Sequence, residues 1–201
     1  MKASSLAVAV AVLAFSAFAS AQTTVYTNLA AFQANLAPGS YTETFADSGF
    51  SGDPSASFSG GGYGYTISAP GGLYGNGTFL GTNLPNEALT VSFTGAPVTA
   101  LGGNFYATNF SDAFQAVPVT LSLSDGTTTT FTPSSVIGSF RGFTSAVAIT
   151  SLTVGAPGAS LYVGMDNFTV GSVVPEPGTW LMMALGIGAL VLRQSRASAR
   201  A

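Results

Sequence analysis

The sequence contains neither histidine nor cysteine. Without histidine, the chain lacks the usual general base, the base of a Ser-His-Asp triad and a common zinc ligand. Without cysteine no disulfide can form, so a domain of this chain depends on its packed core for stability. The lack of histidine disfavours most enzyme classes, and we expect a protein that is not an enzyme.

Charged residues are also scarce, at 6% of the chain, and positive charge is almost missing from its middle. Between residues 22 and 171 the only basic residue is Arg141, whereas the acidic residues there are Glu43, Asp47, Asp53, Glu87, Asp112, Asp125 and Asp166. Nucleic acid is therefore excluded as a partner, because phosphate binding requires clustered lysine and arginine. Glu43 and Glu87 allow a glycosidase interpretation, but isolated carboxylates are ordinary surface groups. We expect Arg141 to pair with one acidic side chain.

Residues 1–21 have the order of a secretory signal peptide. Lys2 is followed by a mostly apolar run from Leu6 to Phe18 and then by Ala19-Ser20-Ala21. A positive start, a short apolar stretch and an A-x-A site are typical of signal peptides, and the stretch is too short to span a membrane comfortably. We therefore predict a signal peptide over 1–21, cleavage before Gln22 and passage through the export machinery.

The C-terminal part combines a proline-rich turn, an apolar run and basic residues. Pro175-Glu176-Pro177 precedes an uncharged run from Gly178 to Leu192, and the basic residues after it are Arg193, Arg196 and Arg200. At about 1.5 Å per residue, a helix over 178–192 is about 22 Å long, against about 30 Å for the hydrocarbon core of a bilayer. We predict a short transmembrane helix at about 178–192, with its basic tail on the cytoplasmic side.

This order resembles the PEP-CTERM sorting signal over residues 172–201. The resemblance implies that an exosortase, a transpeptidase-like cysteine enzyme of the membrane, cleaves at or near Pro175-Glu176-Pro177. It also implies a Gram-negative bacterium, transient anchoring in the inner membrane, and release to the cell surface or to an extracellular matrix of exopolysaccharide. The chemistry of the turn agrees, because prolines extend neither a helix nor a sheet ladder and so leave the backbone extended at the membrane edge.

Residues 22–171 are predicted to form one exported domain. Asn28 can cap a short helix whose apolar stripe is Leu29, Phe32 and Leu36. Period-two alternation then predicts strands, which include 63–67, 89–94 and 119–124, and Asp125-Gly126 predicts a hairpin turn. The pattern favours an all-β fold, an antiparallel jelly-roll-like β-sandwich with one short N-terminal helix.

Two other features of this domain are expected from the pattern. The glycine- and serine-rich segments 48–62 and 69–84 are interpreted as long surface loops. The apolar alternation slips by one residue at Asp166-Asn167 and at Thr150-Ser151, and a β-bulge explains each slip economically.

Several stretches also resemble uncharacterised exported domains that carry the same tail. These stretches include Val25-Tyr26, Gly102-Gly103-Asn104-Phe105, Ser124-Asp125-Gly126-Thr127, Phe140-Arg141-Gly142-Phe143 and Asp166-Asn167-Phe168. The resemblance implies a β-sandwich and brings no catalytic residue with it.

The sequence contains candidate residues for two kinds of ligand site. Asp166 in the last strand is a candidate calcium ligand, although one carboxylate cannot supply six to eight oxygens, and an Asx side chain that satisfies a bulge is the alternative. Tyr63, Tyr65 and Tyr74, with Asn104 as a hydrogen-bonding partner, are candidates for a sugar-binding surface; cross-strand packing is the alternative for the first two. The leading hypothesis is thus a non-enzymatic secreted protein of the cell surface or matrix, without a required cofactor. The alternative is a lectin-like module that binds exopolysaccharide, with calcium as a structural ion.

Overall fold

The computed structural model describes residues 23–174 and 185–187. Its first strand is followed by a capped helix. The strand β1 spans Thr24–Tyr26 and the helix α1 spans Leu29–Gln33. Asn28 is the N-cap, since its Oδ1 accepts a hydrogen bond from the Ala31 amide at 3.0 Å. The predicted cap is therefore confirmed. The helix is shorter than predicted, because Leu36 lies beyond it and forms a β-bridge with Val173.

Twelve further strands and one short 3-10 helix, Ile137–Ser139, follow within residues 23–174. The strands are β2 (Tyr41–Glu43), β3 (Gly49–Gly60), β4 (Tyr63–Asn76), β5 (Leu80–Thr82), β6 (Leu89–Gly95), β7 (Val98–Thr108), β8 (Phe114–Gln115), β9 (Val119–Leu123), β10 (Thr128–Phe131), β11 (Phe140–Ile149), β12 (Ser151–Val154) and β13 (Tyr162–Gly171). The prediction of an all-β fold is confirmed.

The strands form one continuous antiparallel sheet with the order β1-β11-β7-β13-β5-β4-β6-β12-β9-β10. Strand β2 pairs with β13, β3 with β4, and β8 with β7. The short strand β5 connects two halves of this sheet, because it pairs with β13 on one side and with β4 on the other.

The two halves fold over a common core, which gives a sandwich-like arrangement. Phe168 of β13 lies parallel to Phe93 of β6, with ring centroids 6.3 Å apart, although these two strands do not pair. Its ring also meets the edge of Tyr65 of β4 at 5.1 Å. Buried aliphatic side chains from both halves complete the same cluster, among them Ile67, Leu89, Val91, Leu101, Leu121, Leu152, Val163 and Val170. The jelly-roll connectivity itself stays a prediction.

The predicted β9–β10 hairpin is confirmed. Thr128 is opposite Ser122, and the amide of Leu123 donates to the carbonyl of Thr127 at 2.8 Å. Gly126 has a φ of 90°, a value that glycine adopts without strain.

The predicted bulge in β13 is also confirmed, whereas the second phase slip has another cause. Asp166 is opposite Asn104 and Thr169 is opposite Gly102, so β13 contains one extra residue at this point. At Thr150 the chain instead changes partners, since β11 pairs with β7 but β12 pairs with β6 and β9. The crossing from one half of the sheet to the other therefore breaks the alternation there.

The interpretation of 48–62 and 69–84 as loops is wrong. These segments supply β3, most of β4 and β5, and β3 and β4 pair along nearly their whole length. A Cβ on Gly72 would lie 2.6 Å from the backbone of Gly52, so this close approach of two strands requires glycine. The small residues thus serve strand packing and not loop formation.

The predicted terminal segments fall mainly outside the described residues. This holds for the signal peptide over 1–21 and for most of the predicted helix at about 178–192, of which Leu185–Ile187 is described and is helical. Within 23–174 and 185–187, no helix has the length and apolar character needed to cross a membrane.

Candidate functional site

Hydrogen bonds connect the segment after β13 to the rest of the domain as far as Val174, the residue before the Pro-Glu-Pro motif. The amide of Ala37 donates to the carbonyl of Ser172 at 2.8 Å, and the amide of Val174 donates to the carbonyl of Asn35 at 3.0 Å. The amide of Val173 donates to Thr99 Oγ1 at 3.0 Å. Ordered pairing thus reaches Val174. The predicted sorting residues Pro175, Glu176, Pro177, Arg193, Arg196 and Arg200 lie outside the described residues.

Two of the predicted sugar-binding tyrosines are buried. Tyr65 is 1% exposed and stacks on Phe58, with ring centroids 5.4 Å apart. Tyr63 is 9% exposed, and its hydroxyl donates to Ser172 Oγ at 3.1 Å. Neither ring presents a face to a ligand, so the structure corrects the assignment of both residues to a sugar-binding surface. Their strand spacing reflects core packing.

Removal of the Tyr65 hydroxyl and removal of the Tyr63 hydroxyl are expected to have opposite effects on the stability of the domain. Within residues 23–174, the buried hydroxyl of Tyr65 has no hydrogen-bond partner. We expect Tyr65→Phe to raise the free energy of unfolding by about 1 kcal/mol, because it removes an unsatisfied polar group. We expect Tyr63→Phe, which loses the bond to Ser172, to lower it by about 1 kcal/mol. Urea unfolding of both variants checks this pair, and a destabilised Tyr65→Phe would contradict it.

Asp166 and Asn104 lie together, next to the bulge in β13. Both carboxylate oxygens of Asp166 accept from Asn167, from its amide at 2.7 Å and from its Nδ2 at 2.8 Å. Burial raises the pKa of Asp166, and the hydrogen bond from the Asn167 backbone opposes this effect. Asn104 Nδ2 donates to the carbonyl of Val136 at 2.9 Å and so holds the loop before the 3-10 helix.

The arrangement at Asp166 matches the Asx-bulge alternative more closely than a calcium site. Among the residues that the structure describes, no group of three or more Asp, Glu, His or Cys side chains is placed to hold a metal ion. Calcium binding at Asp166 stays a prediction. Asn104 and Asp166 line a broad groove of about 610 Å³, whose rim includes the exposed Ile137.

Tyr74 lies elsewhere, in a second, open cleft of about 280 Å³. We call it the Phe110 cleft, and its lining includes Tyr74, Asn83, Asn109, Phe110, Asp112 and Tyr162. The Tyr74 hydroxyl donates to Asp112 Oδ2 at 2.8 Å, and Asn76 Nδ2 donates to the same oxygen at 3.1 Å. The hydrogen bond to Asp112 raises the pKa of Tyr74.

A fixed turn between β7 and β8 carries Phe110 and Asp112. Asn109 Oδ1 accepts from the amides of Ser111 at 2.9 Å and Ala113 at 3.1 Å, and the Asp112 amide donates to the carbonyl of Asn109 at 3.0 Å. Asp112 adopts a φ of 58°, a conformation that Asp tolerates better than most residues. The turn leaves the phenyl ring of Phe110 87% exposed.

A row of neighbouring aromatic rings begins at Tyr74 of the cleft. The rings of Tyr74 and Phe79 are 5.9 Å apart, Phe79 and Tyr106 are 5.9 Å apart, and Tyr106 and Phe114 are 6.4 Å apart. This row joins β4, β7 and β8, and two of its members, Tyr74 and Phe79, line the cleft. Sequence reasoning missed Asn109, Phe110, Asp112 and Tyr162. A phenylalanine inside a polar Asn-Phe-Ser-Asp turn was the one available signal.

The comparison with known families concerns the C-terminal part of the chain. Residues 173–197 match the family model of the PEP-CTERM protein-sorting motif. The chain therefore carries this motif, which indicates an exported protein that an exosortase sorts. The chain matches no curated protein and no solved structure.

Proposed function

We propose that the chain is a non-enzymatic exported protein of the cell surface or extracellular matrix. In this proposal the C-terminal segment anchors the chain in the inner membrane for a short time, and an exosortase then releases the domain. The observation that carries the proposal is the PEP-CTERM motif over residues 173–197.

The folded end of the domain supports release without loss of structure. Backbone pairing continues to Val174, and Pro175 follows it in the sequence. A proline has no amide hydrogen and cannot donate to a ladder, so it is a natural end for this pairing. The buried residues of the last strand end at Gly171. Cleavage at or near Pro175-Glu176-Pro177 therefore removes none of the described core.

The described carboxylates support a non-enzymatic role. Glu43 accepts hydrogen bonds from the Tyr41 hydroxyl and from the Phe45 amide, and Glu87 accepts from the Gly71 amide at 2.8 Å. Groups with these partners hold turns and strands in place. The sequence also contains no histidine or cysteine to act as a base or nucleophile.

Substitution in the motif tests the proposal. Changing Pro175, Glu176 and Pro177 to alanine, in a Gram-negative host with an exosortase, is expected to keep the full-length chain in the membrane fraction and to abolish its release. The matched control is Gln194→Ala with Ser195→Ala, which alters the same tail but keeps the motif and every arginine. Immunoblots of membrane and medium give the readout. Release of the motif variant at the wild-type level would contradict the proposal.

A further inference from the structure

We propose that the Phe110 cleft binds one residue of a neutral saccharide chain. This inference goes beyond export and sorting, and it depends only on the folded domain. It rests on three observations: an exposed ring on a hydrogen-bonded turn, a set of unengaged polar atoms beside it, and the absence of cationic side chains from the lining.

The first observation is the position of the Phe110 ring. Burial of a phenylalanine side chain stabilises a protein because it removes apolar surface from water, and Phe110 forgoes nearly all of this stabilisation at 87% exposure. Single exposed apolar residues are common on protein surfaces. This one, however, lies on a turn that Asn109 holds with two hydrogen bonds, and it borders a cleft with polar groups. An exposed ring on a turn held in this way is suited to stack on the apolar face of a sugar.

The second observation concerns the polar atoms of the cleft. Within residues 23–174, Asp112 Oδ1, Asn109 Nδ2 and the Tyr162 hydroxyl form no hydrogen bond, whereas Asp112 Oδ2 and Asn109 Oδ1 are held by partners. Asp112 and Asn109 are thus each held through one oxygen and offer a second polar atom, and Tyr162 offers its only one. Together they present an acceptor, a donor and a group that can do both. Sugar hydroxyls need this mixture, because each both donates and accepts.

The third observation restricts the charge of the ligand. Arg141 is the only basic residue between positions 22 and 171, and its guanidinium lies 3.6 Å from the centre of the Phe131 ring, while Nη1 donates to the carbonyl of Phe140 at 2.6 Å. Arg141 therefore stacks on an aromatic ring. The ion pair with an acidic side chain that the sequence predicts is not formed with any carboxylate of residues 23–174. The cleft contains Asp112 and no cation to neutralise an anionic ligand. Uronic acids and phosphates are disfavoured, and neutral sugars are favoured.

The volume of the cleft sets the size of the ligand. About 280 Å³ is near the lower end of the range for small-molecule sites, which is about 300–1,000 Å³. The cleft is open and not enclosed, so a polymer can pass across it while one sugar ring occupies it. We therefore expect binding to a polysaccharide to exceed binding to a free monosaccharide, because several residues of a polymer can bind in turn.

Affinity electrophoresis tests this site. The full-length chain in non-ionic detergent is run through native gels that contain galactomannan, mixed-linkage β-glucan or dextran, with alginate as the anionic comparison. We expect retardation in at least one neutral gel and none in alginate. Phe110→Ala is expected to weaken that binding by about tenfold, as for a central contact residue.

The matched control is Ile137→Ala, which removes an equally exposed apolar side chain, at 89% exposure, from the groove next to Asp166. It should bind as the wild type does. Lack of retardation in every neutral gel, stronger retardation in alginate, or equal effects of the two substitutions would each overturn the proposal. Both residues are exposed, so thermal unfolding should show that both variants fold. A negative result in affinity electrophoresis would not change the expected result of the release assay, so sugar binding and exosortase-dependent release are tested separately.

Discussion

Replacement of Phe168 by alanine is expected to lower the free energy of unfolding by about 3–5 kcal/mol. The side chain is fully buried, and its ring contacts those of Tyr65, Phe93 and Phe105 at centroid distances of 5.1, 6.3 and 6.3 Å. It joins both halves of the sheet, so its removal leaves a cavity that neither half can fill alone. Because domains are stable by only about 5–15 kcal/mol, urea unfolding should show a large shift of the midpoint.

The same substitution at Phe110 is the matched control for this prediction. Phe110 is exposed, and Phe110→Ala should change the free energy of unfolding by less than about 0.5 kcal/mol. Equal destabilisation by the two alanine variants would show that Phe168 does not hold the halves together.

Gly81→Ala is expected to destabilise the domain by about 3 kcal/mol. A Cβ at this position would lie 2.2 Å from the carbonyl oxygen of Val163, which is backbone and not a flexible side chain. Gly81 pairs with Gly164 on one side and with Tyr74 on the other, so any shift that relieves the clash disturbs two ladders. Chemical denaturation of this variant gives the measurement.

Gly49→Ala is the control, because a Cβ at Gly49 would have no heavy atom within 4 Å. Its effect should stay within about 0.5 kcal/mol. If Gly81→Ala unfolds at the same denaturant concentration as Gly49→Ala, then the close packing of β5 against β13 does not limit the stability of the fold.

The elements that could be predicted from the sequence are those with one buried face. Leu89 and Val91 alternate with polar residues because one side of β6 meets the core, and the same holds for Leu121 and Leu123 of β9. The Asp125-Gly126 turn and the bulge at Asp166 were predictable for a local reason, since each depends on a few neighbouring residues.

Strand β3 and the part of β4 after Ser68 could not be predicted in the same way. The segments 48–62 and 69–84 are rich in glycine and serine and contain few apolar residues, and the pairing of the two strands depends on backbone hydrogen bonds and close approach. Such pairing is a tertiary property that local composition does not reveal.

The residues of the Phe110 cleft could not be predicted as a group from the sequence either. Tyr74, Asp112 and Tyr162 come from β4, the turn before β8 and β13, and no spacing along the chain places them together. Tyr63 and Tyr65, which are candidate sugar-binding residues by sequence, alternate with glycine and threonine. This alternation predicts a strand but does not decide whether the two rings are buried. Only the fold assigns Tyr65 to the core and Tyr74 to the cleft.

In the proposed function, an exosortase cuts the folded domain from its sorting tail. Intact-mass measurement of the chain that the host releases, with sequencing of its C-terminal peptide, tests this claim most directly. We predict a C-terminus at or near Pro175-Glu176-Pro177, with the residues from Gly178 to Ala201 missing. A released chain that still contains Arg193, Arg196 and Arg200 would contradict the claim.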